Sequence, residues 1–326
     1  MPGRRLALGL LCAALPMQAA QAFDCAKAAT GVERLICADP GLKALDDRMG
    51  QAYAQVRDLT PKDGRAMLGQ AQKAWIMERE GCSGGDDPAV CVKDSTRARL
   101  ALLLGGSASG PGTPTRIVPR FIMQTGTDSR YEIDATLLRM VAPASPGEKR
   151  LNRLADALAA DIPFGPHGDE PNPYYDYILD QSLDYLSPAF ASVAISISSY
   201  TGGAHPNSTL WHVNIDMASG RDLGIGDLFD GATLEGLAAE CRSQIIAEKT
   251  ARVESGQTYD PQDDRFLQDD TVRSSVGDIS RWSFTDREGR LDFDPYAIGA
   301  YAEGRFACSF AMAALRGASR PGAPLP

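Results

Sequence analysis

Residues 70–82 read QAQKAWIMEREGC, in which Ala71 and Trp75, with Leu68 and Ile76, repeat at the spacing of one helical face before the run stops at a glycine and a cysteine. The run lies inside a frame of four cysteines, Cys25 and Cys37 spaced C-x11-C and Cys82 and Cys91 spaced C-x8-C. Working outward, Thr30 followed by Glu33 forms a capping box that opens a short helix ending near Cys37. Asp39 and Pro40 start a second helix carrying Leu42, Leu45, Met49, Ala52, Tyr53 and Val56 at helical spacing. Asp63 is the expected cap of the third helix, and a fourth is expected over residues 91–104, after the loop SGGDDPAV. So short a helical segment supplies a modest core, and the cysteines are read as staples. Four cysteines allow three pairings, among which the sequence does not choose.

Upstream, Arg4 and Arg5 precede an apolar run from Leu6 to Leu15 and the small-residue pattern Ala20-Gln21-Ala22. This is the form of a secretory signal over residues 1–22, with the exported chain starting at Phe23 in the periplasm or outside the cell. The run is too short for a membrane span. Cys12 follows Leu11, where lipid attachment requires a small residue, and it leaves with the signal. Six cysteines remain, an even number suited to an oxidising compartment. The net charge is −9, and the exported chain is more acidic still because both leading arginines are lost. Such a surface disfavours nucleic acid and anionic lipid and speeds encounter with a basic partner.

About 300 exported residues imply two domains. The break falls in GGSASGPGTPT, with a linker over residues 105–116, and the Gly- and Pro-rich tail 317–326 is expected to fray. The second domain, 117–316, opens with strands at 117–124 and 131–135 and a helix over 148–160, then a loop over 162–173. Val193, Ile195 and Ile197 alternate with small and polar residues as a half-buried strand. In the next strand Trp211, Val213 and Ile215 face away from His212, Asn214 and Asp216, up to a turn at residues 218–220. Thr233 is the expected cap of a long helix running to about Val253 with the stripe Leu234, Leu237, Cys241 and Ile245. Trp282 and Phe284 form a strand, Glu288-Gly289 turns it, and Leu291 and Phe293 return. The last strand alternates Phe306, Cys308 and Phe310. Cys241 on a buried helix stripe and Cys308 on a buried strand face are predicted to pair across the core. The fold class is therefore α+β: a small disulfide-stapled all-α N-terminal domain, then an α+β domain with a mostly antiparallel sheet and packed helices.

The stretches FDCAKAATGVERLIC, LKALDDRMGQAYAQV, QAQKAWIMEREGC and CVKDSTRARL resemble the LprI-type lysozyme inhibitor domain of bacterial envelope proteins over residues 23–104. The likeness includes all four cysteines, Leu45-Asp46-Asp47, Gln72 with Trp75, and Glu78-Arg79. Trp75 is expected in the core and Gln72, Glu78 and Arg79 at the surface. Further on, SVAISISSYTGGAHPNS, NIDMASGRDLGIGDLF and GRLDFDPYAIGAYAEG resemble the extracytoplasmic domain shared by RsiV-type lysozyme-sensing anti-sigma factors and PdaC-type peptidoglycan deacetylases. The chain departs from the sensors in lacking a transmembrane helix and an anti-sigma segment, and from the deacetylases in lacking a catalytic domain.

Both resemblances imply binding of lysozyme, with occlusion of its glycan cleft as the means. Lysozyme works through two carboxyl groups in a sugar-binding cleft, which a rigid polar loop can fill. The candidate loops are Tyr200–Asn207 and Asp294–Tyr301, and the candidate contacts are Tyr200, His205, Asn207, Pro295, Tyr296 and Tyr301. Gly202 and Gly203 are expected to supply positive-φ backbone, and His205 to brace its turn. The alternative is a non-catalytic accessory or sensor module that binds the peptidoglycan glycan itself, with aromatics stacking on sugars. An enzyme is disfavoured: the three histidines show no H-x-E or H-E-x-x-H spacing, Phe284-Thr285-Asp286 lacks the companions of a deacetylase metal site, and no G-x-S-x-G occurs. Asp263-Asp264 and Asp269-Asp270 read as solvated loop. No catalytic residue, metal or cofactor is expected.

Overall fold

The computed structural model describes residues 24–105, 116–126, 131–163, 175–253, 258–267 and 269–326. The signal segment and nearly all of the linker lie outside these residues.

The helical part comprises α1 (Gly31–Ala38), α2 (Pro40–Leu59), α3 (Arg65–Glu80) and α4 (Pro88–Leu103). Thr30 and Glu33 form the expected capping box on α1, each side chain holding the other's backbone N–H. Asp39 caps α2, with Pro40 in its first turn. The start of α3 differs from expectation: Gly64 is its N-cap residue, and the Asp63 carboxylate accepts only the adjacent Gly64 N–H at 3.1 Å. Helix α4 begins three residues earlier than expected, because Asp87 caps it and Pro88 is preorganised for the first turn. The disulfides are local, Cys25–Cys37 and Cys82–Cys91.

The second part contains β1 (Ile117–Thr125), β2 (Tyr131–Met140), α5 (Pro146–Ala160), β3 (Tyr175–Leu186), β4 (Phe190–Tyr200), β5 (Asn207–Asp216) and the two-residue β6 (Arg221–Asp222). These strands form one sheet in chain order. Every pairing is antiparallel except β2 with β3, where α5 makes the crossover that parallel neighbours require. The stripe Leu151, Leu154, Ala155 and Leu158 of α5 packs on Ile133, Ala135, Leu137, Leu179, Val193 and Ile195. Gly147 sits where the first turn of α5 meets the backbone of Met217. A Cβ there would lie 2.5 Å from the Met217 Cα, so no larger residue fits.

A second core lies at the far end of the other sheet face. It is built from α6 (Ile225–Leu228), α7 (Gly231–Arg252), α8 (Asp269–Val276), and the three-stranded antiparallel sheet of β7 (Trp282–Phe284), β8 (Glu288–Asp292) and β9 (Ala307–Ala311), closed by α9 (Met312–Ala318). Trp282, Phe284, Phe229 and Phe310 fill it with Tyr185 and Phe190 of the large sheet. Asp230, not Thr233, caps α7: the Asp230 carboxylate accepts the Thr233 N–H at 2.8 Å. Residues 288 and 289 lie within β8, and the turn is made by residues 285–287, with Thr285 N–H donating to the Glu288 carbonyl at 2.8 Å. The Cys241–Cys308 bridge joins α7 to β9 as the buried stripe and strand face require. The tail is packed, where composition predicts a free end. Ala323 and Leu325 pack on this core, and the Arg316 guanidinium bonds the Pro326 carbonyl. Composition hides the apolar side chains that stand among its small residues.

The helical part and the large sheet share a core. Val118 and Phe121 of the edge strand β1 pack among Met49, Ala52, Val56, Leu68, Ala71, Leu100 and Leu103.

Candidate partner-binding surface

Two loops at one end of the large sheet meet. The first joins β4 to β5; the second follows β8. Gly202 and Gly203 take φ of 98° and 109°, the left-handed backbone that only glycine adopts freely, and let the first loop fold over its own strand end. The Tyr200 hydroxyl donates to the Gly203 carbonyl at 3.0 Å. The His205 Nδ1 lies 3.0 Å from the Pro206 carbonyl, which can only accept, so Nδ1 carries the proton. In the neutral ring Nε2 then accepts from the Tyr296 hydroxyl at 2.9 Å. The His205 ring also stacks on Tyr301, centroids 3.8 Å apart and planes 9° from parallel. Tyr296 and Tyr301 stand 5.7 Å apart.

Tyr296 is the exposed point of this arrangement. Its side chain is 53% exposed and its backbone has φ of 69°, a conformation that costs a non-glycine residue energy. Asp294 anchors the loop base to Arg281 through a 2.5 Å ion pair. Pro295 is half-buried next to Tyr296 and Asn207 is exposed at the start of β5; neither makes a bond to the aromatic trio. Arg305, unmarked by any local pattern, donates to the Ser208 hydroxyl at 3.1 Å and ties the second loop to β5. An arginine ahead of a strand carries no signal of a partner 97 positions away.

Two other polar groupings lie elsewhere. His212, buried on the opposite face of β5 from Trp211, sits between Asp184 of β3 at 3.5 Å and Asp292 of β8 at 3.3 Å, so it links the two sheets. These are charge contacts rather than aligned hydrogen bonds. Burial pulls the imidazole pKa down, but the two carboxylates outweigh it and hold the value above ordinary. Beside it, the Asn214 amide donates to the Trp282 carbonyl at 2.9 Å and the Ser192 hydroxyl accepts the Phe284 N–H at 3.0 Å. On β2, burial and then the charges of Asp180 and Glu132 push the Asp134 carboxyl upward.

In the helical part, Gln72 and Arg79 turn inward, at 8% and 6% exposure, against the expectation of a surface role. Arg79 pairs with Asp46 at 2.7 Å and lies 4.4 Å over the Trp75 ring. Arg99 donates to Gln72 at 2.9 Å and lies 4.9 Å over Phe121 of β1; burial pulls its pKa down to about 10. Trp75 is half-buried and donates to Ser95 at 3.1 Å, and Glu78 is exposed. The Gln-x-x-Trp and Glu-Arg pattern is thus a buried cation–π and ion-pair network, apart from Glu78. Among the described residues no group of three His, Cys, Asp or Glu is placed to hold a metal ion.

Fold and surface together describe a stapled helical domain seated on an α+β domain that presents a preformed aromatic point. Residues 25–103 match the family model described as "Lysozyme inhibitor LprI", and the chain carries an N-terminal LprI domain. The lipoproteins LprI of Mycobacterium tuberculosis and Mycobacterium bovis are 37% identical over 97 residues, which is 30% of this chain and 46% of theirs. The chain thus spans about half the length of these relatives. Two solved DUF3298 family proteins match in structure. One, from Bacteroides fragilis, has a TM-score of 0.41 and 15% identity over 63% of this chain and 93% of that one. The other, from Pseudomonas aeruginosa, has a TM-score of 0.42 and 14% identity over 64% and 95%. No helix among the described residues is long and apolar enough to cross a membrane, and the three disulfides belong to an oxidising compartment.

Proposed function

We propose that this is a periplasmic or secreted protein that binds lysozyme and inhibits it, without catalysis of its own, by placing the Tyr296 loop in the enzyme's glycan cleft. The supporting observation is the convergence of the two loops: His205 fixes Tyr296 by a hydrogen bond and Tyr301 by stacking, so the exposed phenol is ordered before any partner arrives. Preorganisation removes part of the entropy cost of association. The Tyr296 hydroxyl donates to His205 and keeps its oxygen lone pairs for a donor on the partner. The LprI domain, from a family whose description is lysozyme inhibition, and the chain's acidity toward basic partners support the same reading.

The test is size-exclusion chromatography of the protein with lysozyme, with and without a chito-oligosaccharide that occupies the cleft. The proposal expects a one-to-one complex that the sugar dissociates. A complex indifferent to the sugar refutes cleft occlusion while keeping lysozyme binding. No complex refutes both.

A further inference from the structure

A cleft of about 520 Å³ opens between the LprI domain and the edge of the large sheet, on a different part of the molecule from the Tyr296 loop. Its volume lies in the range of small-molecule sites, roughly 300–1,000 Å³, and domain junctions are where such sites concentrate. Its accessible apolar lining is Pro61, Met67 of α3 and Ile122 of β1, and beneath them lie Leu68, Val118 and Phe121, which the shared core buries. At the sheet end stand Arg120 and Arg139. Both guanidiniums converge on one oxygen of Asp156 from α5, Arg120 at 3.3 Å and Arg139 closer still. Two cations share a single carboxylate there, and the arginines remain 42% and 35% exposed. Among the described residues the only other acid lining the cleft, Asp63, lies with the α2–α3 turn, where its Oδ1 accepts the Gly64 N–H. The site thus has an apolar body and one end with a net positive charge held open by a displaceable carboxylate.

We propose that this cleft binds a small amphiphile with one carboxylate. The apolar part lies against Pro61, Met67 and Ile122, over the buried Leu68, Val118 and Phe121. The carboxylate takes donors from Arg120 and Arg139, whose planar forks suit it, in competition with Asp156. The two parts of the cleft come from different domains, so occupancy braces the LprI domain on β1.

Dodecanoate, titrated calorimetrically into the purified protein below its micelle-forming concentration, is the probe, with 1-dodecanol as the uncharged control. Expected are saturable binding near one per chain and weaker binding of the alcohol. The Arg120→Gln, Arg139→Gln double variant should lose roughly tenfold in affinity, and Met67→Trp, which fills the cleft, should abolish uptake. Asp156→Asn removes the internal competitor and should bind dodecanoate more tightly. A purely structural ion pair does not predict that sign, and this variant serves if the double variant fails to fold. Absence of saturable binding overturns the proposal, as does equal affinity in the folded double variant or weaker binding by Asp156→Asn.

Discussion

Asp46→Asn tests whether the LprI signature is a structural network. Asp46 is 2% exposed and Arg79 6%, and among the described residues their 2.7 Å contact is the only ion pair either makes. The substitution keeps the shape of the side chain and removes its charge. Arg79 is then left in the interior with the Thr96 hydroxyl at 3.2 Å and the face of Trp75 at 4.4 Å, and its Nε already lacks a partner. Stranding one member of a buried pair costs about 3–5 kcal/mol, against a total domain stability of about 5–15 kcal/mol. Ring and hydroxyl contacts survive, so the lower end, about 3 kcal/mol, is expected. Native-state hydrogen exchange followed by mass spectrometry on peptides from residues 40–59 reads the opening free energy of α2 directly. Replacing both residues by leucine removes the stranded charge and should recover most of the loss. A cost below about 1 kcal/mol, the ordinary value for a surface pair, would refute the account. So would a double variant less stable than Asp46→Asn.

Three further outcomes follow from the packing. Replacing Cys241 and Cys308 by alanine opens a bridge spanning 67 positions and should cost about 4 kcal/mol in urea unfolding by the chain-entropy relation. Phe121→Ala removes the β1 ring that both fills the shared core and lies under Arg99; a loss of about 3–5 kcal/mol is expected, with faster exchange in α4 as well as β1. For His212, the folded pKa is raised, so its contribution to stability is complete below about pH 6.5 and is lost as pH rises through the raised value. His212→Gln should therefore destabilise more at about pH 5.5 than at about pH 8.5 in parallel urea titrations, and an equal deficit at both would contradict the sheet-to-sheet charge contact.

What the sequence made legible was local. The Thr30–Glu33 and Asp39–Pro40 signals mark helix starts because a cap and its partner lie within three residues. The Cys241–Cys308 bridge followed from two periodicities, one helical and one alternating, each placing its cysteine inward. The strand β3 is hard to read from sequence because a long Pro- and Gly-rich stretch precedes it. Its alternation of Tyr177, Leu179 and Leu183 with Asp176, Asp180 and Ser182 is broken by a bulge between Leu183 and Tyr185. The inward turn of Gln72 and Arg79 was hidden for a different reason. Polar residues on a helix read as solvated unless their counter-charges are known, and Asp46 lies on another helix while Phe121, under Arg99, lies in another domain. The candidate contacts show the same division. Residue types mark Tyr200, His205, Tyr296 and Tyr301 as loop residues, but the hydrogen bond and stack that join the last three span more than ninety positions, Tyr200 bonds only its own loop, and Arg305 has no local mark.

The central claim is that the Tyr296 loop stops lysozyme, and the direct test follows clearing of a cell-wall suspension by a panel of lysozymes as the protein is titrated in. Inhibition that saturates near one protein per enzyme, and that Tyr296→Ala weakens by at least roughly tenfold as the loss of a central aromatic anchor should, is the predicted result. Undiminished lysis by every lysozyme at molar excess would contradict the claim, and would leave peptidoglycan glycan as the partner to examine.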